Sequence, residues 1–269
     1  MTVLEDIIAA TRRRVRECRS NADLREVERQ AELHVPRGFR AALESSRRVG
    51  TAVLAELKKA SPSRGLIRSD FNPAKLAREL EQAGAAALSV LTDKEFFQGS
   101  LDNLRIASAT TQIPCLRKDF IVDEFQVLEA RANCADAVLL IVAALSPAEL
   151  KSLLGRSREL QLDVLCEIHD EAELQTALGA GCNLIGVNSR DLRSFRVDLD
   201  TAFRLAPHIP ADVLAVAESG IETGADITKL RAAGYGAFLI GETLMKAPVP
   251  GETLRELLRS TAIQVPTSA

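Results

Sequence analysis

Two lysines and three glutamates recur at one kind of position in this 269-residue chain, at or just past the end of a short apolar run. Glu56 and Lys58 close the run Ala52–Leu57, and Lys118 follows Ile113–Leu116. Glu167 stands at the end of Leu162–Ile168, and Glu218 follows Val213–Ala217. Ammonium and carboxyl groups gathered among apolar walls run general acid–base catalysis, because burial and charged neighbours shift both pKa values. Glu56 and Lys58 are two residues apart and share a strand face, with Leu54 on the same face pointing to an interior. One charged residue at such a place reads as a solvated loop or an ion pair. Five at equivalent places on four runs read as a site, since converging charges are costly unless paired or used.

Other chemistries find less support. His34, His169 and His208 do not cluster by spacing. His34 and His208 read as surface residues, and Asp170 reads as a helix N-cap rather than a metal ligand. The cysteines at 18, 115, 134, 166 and 182 are odd in number and contain no Cys-x-x-Cys pair. They are expected to be small buried hydrophobes, not a disulfide framework or a zinc site. No G-x-G-x-x-G or G-x-x-x-x-G-K-[ST] segment occurs, so neither a metal nor a cofactor is expected.

Glycine supplies a second signal. Glu218-Ser219-Gly220-Ile221 and Ile240-Gly241-Glu242 follow the last two apolar runs. Glycine permits close backbone approach, and two such loops side by side form a phosphate site from N–H groups. Ser61-Pro62-Ser63-Arg64-Gly65 reads either as a plain polar turn or as a loop that closes over a substrate.

The elements that must carry these groups follow from periodicity. From Thr51 onward, an apolar run followed by a helical stretch occurs eight times. The remaining runs are Ala86–Leu91, Ala137–Val142, Leu184–Val187 and Ala237–Ile240. Asn72-Pro73 and Ser146-Pro147 offer N-caps with proline at the first helical position. Gly84, Gly181 and Gly234 close helices. The runs are almost continuously apolar, as in strands buried on both faces. Eight such units fit a doubly wound open sheet or a closed (β/α)8 TIM barrel, and their number and even spacing favour the barrel. Residues 1–50 form an N-terminal helical extension: an amphipathic helix over Thr2–Ser20, a charged stretch to Pro36, and a short helix over Gly38–Ser46. The chain is read as one barrel domain over 1–269.

Composition excludes whole classes. With 34 basic and 37 acidic residues the net charge is −3, without the basic balance of a nucleic-acid binder. The longest apolar run, Ala137 to Leu145, falls far short of the roughly 20 residues a bilayer requires. The N-terminal residues lack a basic stretch followed by an apolar one, so the cytoplasm is the expected compartment. Oligomeric state is not legible, and a monomer is the starting expectation.

Several segments carry a family resemblance. They are Ala55-Glu-Leu-Lys-Lys-Ala-Ser-Pro-Ser63, Leu91-Thr92 with Phe96-Phe97-Gln98-Gly99-Ser100, Leu116-Arg-Lys-Asp-Phe-Ile-Val-Asp-Glu124, Leu139-Leu-Ile-Val142, Glu167-Ile-His-Asp170, Ile185-Gly-Val-Asn-Ser-Arg-Asp-Leu192, Ala217-Glu-Ser-Gly-Ile221 and Phe238-Leu-Ile-Gly241. Over nearly its whole length the chain resembles the indole-3-glycerol-phosphate synthase family. The resemblance implies a barrel carboxy-lyase of tryptophan biosynthesis acting on 1-(o-carboxyphenylamino)-1-deoxyribulose 5-phosphate, with no cofactor. It implies Lys118 as general acid and Glu167 as its carboxylate partner. Glu56 and Lys58 match a pair for dehydration and substrate holding, although which lysine serves which step stays open. Asn188, Glu218 and Ser219 match substrate-positioning residues, and Arg190 a holder of a substrate anion. Phe97, Phe120 and Leu139 match the walls around the anthranilate ring, and Ser61, Gly220, Gly241 and the Glu242 N–H the phosphate site. A carboxylate beside phosphate is repulsive, so the Glu242 side chain is expected to point away. The rivals are an isomerase barrel, expected to place Cys and Asp at the first and fifth strand ends, and a silent barrel that only binds a ligand.

Overall fold

The computed structural model describes residues 3–191 and 196–261. Thr2 and Leu192, which figure in the sequence reading, lie outside the described residues. Three helices precede the first strand: α1 (Val3–Asn21), α2 (Leu24–Leu33) and α3 (Phe39–Val49). Helix α2 falls in the charged stretch where periodicity is weak; Asp23 caps it by accepting from the N–H groups of Arg25 and Glu26.

Eight parallel strands then close into a barrel. They are β1 (Ala52–Leu57), β2 (Ala87–Leu91), β3 (Cys115–Lys118), β4 (Ala137–Ile141), β5 (Asp163–Ile168), β6 (Leu184–Asn188), β7 (Leu214–Glu218) and β8 (Ala237–Ile240). β1 pairs with both β2 and β8, which completes the closure. Strand β3 starts two residues later than the apolar run suggests, because Pro114 interrupts that run and lacks an N–H for the ladder. Helices α4 (Pro73–Gln82), α5 (Leu101–Thr110), α6 (Glu124–Ala132), α7 (Pro147–Glu159), α8 (Glu171–Gly179), α9 (Asp200–Leu205), α10 (Gly224–Ala232) and α11 (Pro250–Ser260) alternate with the strands. Their caps follow the sequence signals. Asn72 accepts from the Lys75 N–H, Ser146 forms a capping box with Glu149, and Asp170 accepts from the Glu173 N–H.

The core has two parts. Outward residues such as Val53, Leu88, Leu140 and Ile185 pack under the helices. Inward residues such as Leu54, Leu116, Leu165 and Leu184 fill the barrel, and Phe39 and Leu43 of α3 join this inner cluster with Ala52, Ala87 and Ala237 at the strand starts. Asp136 ties the extension to that end. It accepts from the Cys115 N–H at 2.6 Å, from the Arg37 backbone and guanidinium, and faces His34 Nε2 at 3.2 Å. His34 is thus a half-buried partner of Asp136, not the surface residue expected; burial lowers its pKa, but Asp136 outweighs this and lifts it to about 9.

A second correction concerns cysteine. Cys166 on β5 and Cys182 before β6 are paired as a disulfide, sixteen residues apart in sequence, where only buried thiols were expected. The connection lies outside the barrel, in the cluster under the helices. Among the described residues no helix is long and apolar enough to cross a membrane.

Candidate active site

Strand alternation and barrel closure together decide where the five charges go. In a barrel of this kind, inward side chains stack in layers drawn from alternate strands, and the mouth lies at the strands' C-terminal ends. The inward residues nearest the mouth on β1, β3, β5 and β7 are Glu56, Lys118, Glu167 and Glu218. A layer that aliphatic side chains ordinarily fill is here entirely ionisable. Its three carboxylates are almost wholly buried, at 3%, 1% and 1% exposure. They are tolerated because each has a cation in reach. Lys118 Nζ donates to Glu167 Oε2 at 2.5 Å and to Glu218 Oε2 at 3.3 Å. Lys58 Nζ donates to Glu56 Oε1 at 2.6 Å.

Small residues make room for this layer. A Cβ at Gly186 on β6 would collide with Glu218 Oε1, and one at Gly241 would collide with Glu56 Oε1. Asn188, one step further along β6, binds the groups together. Its Nδ2 donates to Glu167 Oε1 at 3.1 Å, while its Oδ1 accepts from Ser219 Oγ at 2.8 Å and from the Arg190 N–H at 3.0 Å.

The electrostatics set the protonation. Burial lowers the Lys118 pKa, but Glu167, Glu218 and Glu56 more than offset this and raise it above the ordinary lysine value. Burial raises Glu167, yet Lys118 and then His169 outweigh it and hold that carboxyl well below its usual range. Glu218 goes the other way. Burial, joined by the charges of Glu167 and Glu56, lifts it to about 8 despite Lys118. The layer therefore sets a stabilised ammonium between one carboxyl driven toward its ionised form and another driven toward its protonated form, Glu167 and Glu218 being split by environment.

A cavity of about 640 Å³ opens above the layer. Glu56, Lys58, Ser61, Phe97, Lys118, Phe120, Leu139, Glu167, Asn188, Arg190, Glu218, Ser219, Gly220, Gly241 and Glu242 all line it. Phe97 and Phe120 form one wall, with ring centroids 6.3 Å apart and a 40° tilt. Leu4 and Ile7 of α1 reach the same cavity. Arg14 pins that helix by donating to Asp93 Oδ2 at 2.8 Å.

The opposite rim is cationic. Ser219 and Gly220 both have left-handed backbone, at φ 66° and 76°, an uncommon state for serine that turns the loop back over the mouth. Ser61-Pro62-Ser63-Arg64-Gly65 is a tight turn in a two-strand ribbon, Ala60–Ser61 against Gly65–Leu66. The turn delivers Arg64. Glu242 does not point away as expected: Arg64, Arg190 and Lys246 lie 3.0, 3.2 and 2.6 Å from its carboxylate oxygens. Attraction to these three cations draws the carboxylate toward the cavity they line. Sequence reasoning missed Arg64, Lys246 and His169. Only His169 carried a usable signal, its two-residue step from Glu167.

Comparison with known proteins agrees with this geometry. Residues 4–257 match the family model for indole-3-glycerol phosphate synthase. The chain is 55% identical to the enzyme of that name from Koribacter versatilis, over 96% of this chain and 99% of that one. It is 53% identical to the Chlorobium chlorochromatii enzyme, covering 81% and 84%, and 48% identical to that of Acidithiobacillus ferrooxidans, covering 95% and 98%. Among solved structures, a thiamine phosphate pyrophosphorylase from Pyrococcus furiosus superposes with a TM-score of 0.60 at 15% identity, covering 80% of this chain and 96% of that one. At that identity the likeness concerns the fold alone. The barrel, the ionisable layer and the relatives together lead to one assignment: the chain belongs to the indole-3-glycerol phosphate synthase family.

Proposed function

We propose that the chain closes the indole ring of 1-(o-carboxyphenylamino)-1-deoxyribulose 5-phosphate, with loss of carbon dioxide and water, as the carboxy-lyase of tryptophan biosynthesis. The observation that carries this reading is Lys118, held between Glu167 and Glu218 beneath a cavity with aromatic walls at one side and cations at the other. The anthranilate ring lies against Phe97, Phe120 and Leu139. The phosphate lies at the far rim, against Ser61, the N–H groups of Gly220, Gly241 and Glu242, and the cations around Glu242. Arg190, one of those cations, holds the anionic end, and Ser219 holds the substrate between the two ends.

The chemistry then runs through the layer. The ring carbon bearing the carboxylate attacks the ketone carbon, and Lys118 gives the ketone oxygen its proton as negative charge develops. The ring is left cationic, and Glu167 stabilises that charge. The carbon–carboxylate bond breaks, and its electron pair restores the aromatic ring. The hydroxyl then leaves as water with a proton from the Glu56–Lys58 pair, and a carboxylate of the layer takes the departing C–H proton. Two protons are used and one is returned, so each turnover draws one proton from solvent. Glu218, its carboxyl raised above the ordinary range by burial, positions the intermediate. The enclosed walls keep these interactions strong by excluding water.

The test is direct. Purified protein given the deoxyribulose phosphate, without added metal, is expected to form an indole-fluorescent product. A folded sample that forms none at high enzyme concentration overturns the reading.

A further inference from the structure

The ionisable layer has a neighbour that the reaction as derived leaves unassigned. His169 lies two residues beyond Glu167 and shares its inward parity. It is largely buried, its side chain 15% exposed. Its Nε2 faces Glu167 Oε1 at 3.5 Å and has no hydrogen-bond partner of its own. Its Nδ1 lies 3.1 Å from Glu173 Oε2, and that same oxygen accepts the His169 backbone N–H at 2.8 Å. The ring is thus fixed from behind by the first turn of α8 and aimed from a strand end at the carboxylate that partners Lys118.

We infer that His169 is a positioning residue whose imidazolium, clamped between Glu167 and Glu173, keeps Glu167 ionised and oriented for catalysis. The inference rests on the reaction proposed above. Glu167 has two oxygens. Lys118 of β3 occupies Oε2, and Asn188 of β6 together with His169 occupies the side of Oε1. The other ionisable groups of the layer are Glu218 of β7, which shares Lys118 with it, and Glu56 of β1, whose charge acts on Lys118 and Glu218. When Lys118 hands its proton to the substrate, its positive charge is lost from beside Glu167. Without a second cation, Glu167 would then be a buried carboxylate with no opposite charge to offset its burial, and its pKa would climb. His169 is the cation that remains. Burial lowers its own pKa, but Glu167 and Glu173 raise it to about 10, so it stays charged through neutral pH.

The test is the pH dependence of kcat in His169→Gln, which keeps a polar side chain but removes the charge. The variant is expected to lose turnover about tenfold with KM changed less than threefold. The acid limb of its kcat profile is expected to move at least one pH unit toward neutrality, since that limb reports the base in the enzyme–substrate complex. A purely structural role would lower activity without moving the limb. A folded variant whose limb stays in place overturns the inference. Should His169→Gln fail to fold, Glu173→Gln at the half-buried outer end is expected to move the limb the same way by a smaller step; no movement there is equally decisive. Nitrogen NMR of the His169 ring in the unaltered enzyme is independent of turnover. It is expected to report an imidazolium at pH 8, and a ring titrating near 6.5 refutes the inference. If the unaltered enzyme forms no indole product, the proposed reaction fails, while the NMR result still decides the state of His169.

Discussion

Lys118 is an exacting position, because it lies within reach of two buried carboxyls of the layer, Glu167 and Glu218. Replacing it with alanine removes the proposed general acid, leaves Glu218 without its cation and leaves Glu167 with only Asn188 and His169. Turnover is expected to fall by about 10²-fold or more, the ordinary scale for general acid catalysis, with KM retained. An unchanged rate in the fluorescence assay would reject its role. At the rim, Glu242→Gln frees Arg64, Arg190 and Lys246 from an internal competitor. Inorganic phosphate is then expected to inhibit at several-fold lower concentration than in the unaltered enzyme; equal or weaker inhibition would show that the cations do not meet the phosphate. These residues also mark what was legible. Glu56, Lys58, Lys118, Glu167 and Glu218 were readable because strand ends and two-residue alternation are local properties. The orientation of Glu242 was not, since it depends on Arg64 and Arg190, which lie far away in sequence and arrive only when the barrel closes.

At the scale of elements, Gly186 on β6 and Asp136 beside the extension each carry a testable constraint. Gly186 leaves the space that Glu218 Oε1 occupies. Gly186→Ala is expected to destabilise the fold by about 1–3 kcal/mol, as overpacking does, and to cost activity out of proportion by tilting Glu218. Full activity with an unchanged melting temperature would contradict this. The extension is tied down by Asp136, which accepts from Arg37, Cys115 and His34. His34 has a folded pKa near 9 against an ordinary value near 6.5. Its contribution is therefore complete below about 6.5 and vanishes as pH rises through about 9. The melting-temperature gap between unaltered protein and His34→Ala is expected to be open at pH 6 and closed by pH 10; a gap independent of pH would sink this account. The strands and the caps of α4, α7 and α8 were legible from apolar runs and N-cap residues. Helix α2 was not, because the face made by Leu24, Val27 and Ala31 is narrow and set among Arg25, Glu26, Glu28, Arg29 and Glu32. The Cys166–Cys182 pairing was not legible either, since nothing local relates a strand residue to a loop sixteen residues on.

For the molecule as a whole, the shifted groups combine into one stability profile. Asp136, Glu167, Glu149 and Asp226 have lowered pKa values, so their contribution is present above the ordinary carboxylate range and lost as pH falls through it. His34 and His169 work in the other direction and lose their contribution as pH climbs through about 9 and about 10. Glu218, lifted to about 8, adds a cost that grows between about 4.5 and 8. Melting temperature is expected to peak between about pH 5 and 6.5 and to decline on both sides. A maximum above pH 8 would contradict the assigned shifts.

The stagger of the barrel has one more consequence. The proposed reacting groups Glu56, Lys118, Glu167 and Glu218 sit on the odd-numbered strands, whereas Leu91, Leu139, Ile141 and Leu239, which line the same cavity, sit on the even-numbered ones. Apart from Asn188 on β6 and Phe120 just past β3, the proposed machinery and the apolar lining are carried on separate staves of one cask. Recarving the even staves should change which aromatic acid is accepted while the acid and base stay where they are.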